Sequence, residues 1–110
     1  MSNDTRATIY TITCFQKLEM DDKGRLRTGA SRVFGFYTKR EDAIQAMHEN
    51  WCEMFEYLYQ YAVVEAMKEG IHCDVDEEIW FQFDENKRGF FEIPKPDCVI
   101  KSCLCNFALG

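Results

Sequence analysis

Apolar and polar positions alternate through the opening stretch Ala7-Thr8-Ile9-Tyr10-Thr11-Ile12-Thr13-Cys14-Phe15. Its β-branched and aromatic residues predict a strand within residues 7–19. Alternation puts Ile9, Thr11, Thr13 and Phe15 on one side and Tyr10, Ile12 and Cys14 on the other. Met20-Asp21-Asp22-Lys23-Gly24-Arg25 reads as a turn, with Gly24 free to take positive φ. Ser31–Tyr37 reads as a second strand, and Gly35 inside it predicts a bulge or a close approach by a helix.

The period then changes. Ile44, Met47, Trp51, Phe55, Leu58, Ala62 and Ala66 recur at steps of three and four, the stripe of an amphipathic helix. Thr38 followed by Glu41 has the form of a capping box, Glu41 and Asp42 suit a first turn, and Gly70 suits the residue past the end. The pattern predicts one helix over 40–69, about 45 Å long at 1.5 Å per residue. So long a rod on so small a chain implies a bend near Asn50 or an end that projects.

An acidic connector, Ile71-His72-Cys73-Asp74-Val75-Asp76-Glu77-Glu78, leads to a third strand at 79–83. Asp84–Gly89 turns the chain and Phe90–Ile93 returns as a fourth strand. Pro94-Lys95-Pro96 breaks the ladder, and Cys98–Leu109 reads as a last strand. The expected fold class is α+β: an antiparallel sheet of four to five strands in the order β-β-α-β-β-β, with one long helix packed on one face. At 110 residues the chain makes a single domain, 1–110.

Charge narrows the partners. A formal charge of −6 and a pI near 4.9 disfavour direct nucleic-acid binding, which needs cations to neutralise phosphate. They fit a basic protein partner, or a surface that only keeps the chain dissolved. The polar start and the lack of a spanning apolar run predict no signal peptide, no membrane contact and a cytoplasmic location. There the cysteines stay reduced and act as small hydrophobes. Cys98, Cys103 and Cys105 do not form paired knuckles, so no metal is expected. Neither His48 nor His72 can be placed beside a thiol, and no phosphate loop or nucleophile motif occurs. The chain is therefore expected to be no enzyme and to hold no cofactor.

On the long-helix reading, Glu49, Glu53 and Glu56 form a carboxylate ladder at steps of four and three, with no lysine or arginine between Arg40 and Lys68 to relieve the repulsion. The bland account is a solvated face. The functional account is a surface shaped for cations. Tyr57, Tyr59 and Tyr61 cannot share one helix face, so at least one leaves the stripe, either as an exposed contact residue or at the core's rim.

The pattern Ile9-Tyr10-Thr11-Ile12-Thr13, Gly35-Phe36-Tyr37, Ala43, Asn50, Glu56-x-x-Tyr59-x-Tyr61-Ala62-Val63-Val64-Glu65, Glu69-Gly70-Ile71 and Asn106-Phe107-Ala108-Leu109-Gly110 resembles small proteins from mobile elements and prophages of gut Firmicutes. The resemblance covers most of the chain. It implies a setting, anti-defence and including anti-CRISPR inhibitors, rather than a chemistry.

The expectation is a non-enzymatic acidic binding or inhibitor module acting on a basic host protein that handles nucleic acid. Its partner-binding residues are Glu49, Glu53, Glu56, Tyr57, Asp74, Asp76 and Glu77, and a homodimer is allowed. The alternative is an oligomeric protein that sequesters a nucleotide-like signal, with Arg25, Arg27, Arg32, Lys87 and Arg88 supplying phosphate contacts.

Overall fold

The computed structural model of the protein describes residues 7–51, 58–69, 75–102 and 107–108. In chain order the elements are β1 (Thr8–Phe15), β2 (Glu19–Met20), β3 (Leu26–Arg27), β4 (Ser31–Tyr37), α1 (Arg40–His48), β5 (Tyr61–Lys68), β6 (Val75–Asp84), β7 (Gly89–Ile93) and α2 (Asp97–Ser102). Five strands build one sheet in the spatial order β4-β1-β5-β6-β7, and β2 and β3 form a small separate ribbon. Every pairing in both sheets is antiparallel. The α+β class and the five-stranded antiparallel sheet match the expectation.

The long helix does not. α1 stops at His48, Glu49 caps it, and Asn50 turns left-handed with φ 51°. Asparagine is one of the few residues that adopts that conformation at low cost. Residues 61–68, expected as its second half, are the central strand of the sheet. Tyr61, Val63 and Val64 favour a pleated strand. Burial on both sides removes the polar alternation that marks a half-exposed strand. The four-residue spacing of Leu58, Ala62 and Ala66 is therefore a coincidence of a mostly apolar strand. Leu58, expected in the core, is 68% exposed, and Trp51 also reaches the surface. Phe55 lies outside the described residues.

Three smaller corrections follow. Thr38 does not cap α1; Lys39 occupies that place and makes no side-chain capping bond. The acidic connector is shorter than expected, because β6 already begins at Val75. Part of the expected last strand is α2, whose first turn closes on the Pro96 carbonyl through the amides of Val99 at 3.0 Å and Ile100 at 3.1 Å. A proline just before Asp97 suits a helix start, and this outweighs the strand preference of Val99 and Ile100. The order β-β-α-β-β-β still describes the large sheet with α1, because β5 adds a strand where α2 removes one.

Side chains alternate as the strand period requires. Ile12, Cys14, Ala62, Val64, Phe81 and Phe90 meet Ala43, Ala46 and Met47 of α1. On the opposite face Phe15, Val63 and Trp80 pack with Val99 of α2, Leu26 of β3 and Phe107. Both faces are thus covered.

The bulge expected at Gly35 is present. Ile12 pairs with Gly35 and Thr13 with Val33, leaving Phe34 as the extra residue. Gly35 has φ 153°, a conformation that favours glycine. The turn after β2 forms around Asp21, whose carboxylate accepts the amides of Arg25 at 2.8 Å and Lys23 at 2.9 Å. Those bonds, that of Arg25 foremost, hold the Asp21 carboxyl below its ordinary value.

Gly89 shows how closely α1 sits on the sheet. A Cβ there would lie inside contact distance of the His48 backbone carbonyl. Backbone on both sides leaves no flexible atom to yield. Gly89→Ala should cost about 3 kcal/mol, near the upper end for overpacking, read as a lower urea midpoint with an unchanged slope.

Candidate functional site

β4 is an outer strand that pairs with β1 alone among the described residues. It turns large apolar side chains outward, with Phe36 60% exposed and Val33 43% exposed. Between this strand and the end of α1 opens a cavity of about 220 Å³. Phe34, Phe36 and Tyr37 wall it from the strand, Ile12 lies at the sheet side, and Ala46 and Trp51 close the helix side. The two sequence features behind it are the bulge at Phe34, which re-aims the strand, and the helix stop at Asn50, which delivers Trp51. Trp51 lies 6.0 Å from the Tyr37 ring at an inclination of 58°. Phe34 meets the buried Tyr59 edge-on at 5.5 Å, and the Arg32 guanidinium lies 5.0 Å from the Phe34 ring centre.

Residues spaced by four and three share one side of a helix, so Asp42 and Glu49 flank Ala46. Asp42 is half-buried and Glu49 exposed. The cavity lining itself is aromatic and aliphatic, and the two carboxylates lie one helical turn along the chain from its Ala46. No family model, curated protein or solved structure matches the chain.

The sequence-derived site residues fall in several places. Glu49 is on the cap of α1, three residues after Ala46 of the cavity wall, rather than on a long rod. Glu53, Glu56, Tyr57 and Asp74 lie outside the described residues. Asp76 and Glu77 are on β6 and already face cations of the same chain: Lys68 Nζ is 3.5 Å from Asp76, and Arg40 forks onto Glu77 at 2.9 and 3.3 Å. Tyr59 is buried in the helix-side core and Tyr61 borders the opposite one.

The basic residues of the alternative reading are also dispersed. Arg25 and Arg27 both bind Asp21, at 3.4 and 3.2 Å. Lys87 and Arg88 belong to the β6–β7 turn, where Lys87 lies 4.7 Å over the Phe91 ring. The cavity beside Lys87 is lined by Asp84 and Glu92 and includes none of the arginines, so it is a poor phosphate site.

His48 stacks on Phe91 at 4.7 Å and meets Phe81 edge-on, a packing role; His72 lies outside the described residues. Burial pushes the Cys14 thiol up to about 12, so it remains a neutral thiol at physiological pH. Cys98 is half-buried, and the other four cysteines lie outside the described residues. Among the described residues no group of three or more His, Cys, Asp and Glu could hold a metal, and no helix is long and apolar enough to cross a membrane.

Proposed function

We propose that the protein is a non-enzymatic binding module that docks a partner protein in the groove between β4 and α1. The observation that carries this reading is the aromatic cavity beside an open sheet edge, with Phe36 and Trp51 exposed at its mouth. Exposed aromatics around a concavity on an edge strand are characteristic of protein contacts. The aromatic lining, with Asp42 and Glu49 one helical turn either side of Ala46, points to the partner's chemistry: an apolar or aromatic anchor with lysine or arginine close to it in sequence. A basic host protein, the kind of partner that the net charge of −6 fits, would present such a segment. The acidic contact surface then centres on Glu49 and the groove, whereas Asp76 and Glu77 hold the fold's own cations.

Random peptides displayed on phage test this reading. Selection against the protein should enrich sequences with one large apolar residue next to Lys or Arg. Phe36→Asp should reduce their affinity at least about tenfold, as loss of a central aromatic contact does. Glu49→Lys should weaken binding about threefold to tenfold and flatten its salt dependence. Enrichment of acidic peptides, or binding that survives Phe36→Asp, would contradict the proposal.

A further inference from the structure

Glu65 sits in the middle of the central strand and is 0% exposed. A carboxylate at such a place is costly unless its oxygens are satisfied. Its cross-strand neighbour is another acid, Glu78, and Lys95 binds Glu78 at 2.6 Å. Backbone amides far along the chain satisfy Glu65 instead. The Phe107 amide donates to both carboxylate oxygens at 3.1 Å, and the Ala108 amide donates to Oε1 at 3.1 Å. The Phe107 ring lies edge-on to Phe15 at 5.0 Å and to Trp80 at 5.4 Å, over a pair that is itself stacked at 5.8 Å. The sheet thus offers an aromatic seat for one ring and a carboxylate for the two successive amides that belong to it.

We propose that Glu65 with the Phe15–Trp80 pair is a built-in docking site for the Phe107–Ala108 segment, a latch that opens without unfolding the sheet. An apolar residue at 65 would pack against the segment without fixing it. The carboxylate adds direction, because only two consecutive amides beside a seated ring satisfy both oxygens. Among the described residues the segment is held by its two amides on Glu65 and by the Phe107 ring, while β5 is laddered on both sides, so the segment is the weaker unit and opens first. Three charged groups govern the site: Glu65 itself, Glu78 across the strand pair, and Lys95 before α2. Protonation of Glu65 leaves Oε1 able to accept both amides, so the latch tolerates acid.

Amide exchange on the full chain tests the latch. In the wild type, Phe107 and Ala108 should be protected, yet exchange faster than Val63 and Val64. Glu65→Ala should speed exchange at Phe107 and Ala108 by at least about tenfold, the loss of hydrogen bonds to a charged group, relative to Val63 and Val64 in the same sample. Glu65→Gln, which keeps Oε1, should restore most of the protection. If Glu65→Ala fails to fold, Phe107→Ala supplies the second reading. Loosening the seat should admit water, and the titration of the carbon-13-labelled Glu65 carboxyl should fall back toward the ordinary glutamate range. Unprotected amides at 107 and 108 in the wild type would overturn the proposal. So would exchange that stays locked to β5 in the variants, or a Glu65 titration unmoved by Phe107→Ala.

Discussion

Val64→Asp should abolish folding, whereas Leu58→Ala should leave stability nearly unchanged. Val64 is 1% exposed on the central strand and points at the core beneath α1. Among the described residues the core cluster around it is apolar, and burying an unpaired charge costs several kcal/mol. That is comparable with the whole stability of a small domain, about 5–15 kcal/mol. Leu58 stands mostly in solvent, so truncation should stay within about 0.5 kcal/mol. Circular dichroism and urea unfolding read both. A helix running through 40–69 would reverse the order: Val64 would lie off the stripe and accept the charge, and Leu58→Ala would cost about 2–5 kcal/mol as a core truncation.

Glu65 gives the stability a pH dependence. Burial raises its pKa above the ordinary value, and the amides of Phe107 and Ala108 offset this only in part. The folded protein therefore binds this proton more tightly than the unfolded chain does. Its contribution to stability is fully present below the ordinary glutamate value, about 4.3, and is lost as pH rises through the folded value. Glu65→Gln removes the titration. Subtracting its pH–stability curve from that of the wild type should leave a difference that grows from mildly acidic toward neutral pH, with the variant the more stable. Glu65→Ala strands two amides instead and should cost about 2–4 kcal/mol. A wild type that loses no stability against Glu65→Gln on going from acid to neutral pH would show that the site favours the charged form.

The outer parts of the sheet are legible in the sequence because each has a one-sided pattern or a clear breaker. Ser31–Tyr37 is rich in aromatic residues, Asp84–Gly89 holds turn residues, and Gly35 marks its bulge. The centre is not legible by the same signals. Tyr61–Lys68 is buried on both faces, so its residues do not alternate between polar and apolar, and small residues at 62 and 66 imitate a helix. The one sign of a break is Asn50, which reads equally as a bend and as a stop. Of the groove, Glu49 is legible as an exposed acid, and Trp51 is not, because the long stripe places it in the core. Phe36 looks like an ordinary strand residue until the sheet order puts β4 at the edge. Glu65 gives no warning, since its partners lie far along the chain at 107 and 108.

Fluorine resonances of the protein labelled with fluorotryptophan test the groove most directly. The chain has two tryptophans, Trp51 at the mouth of the cavity and Trp80 buried on the opposite face of the sheet. A phage-selected peptide with an apolar anchor and a neighbouring lysine, titrated in, should shift the Trp51 signal to saturation and leave the Trp80 signal in place. A peptide that binds and moves Trp80 alone, or neither signal, would contradict docking between β4 and α1.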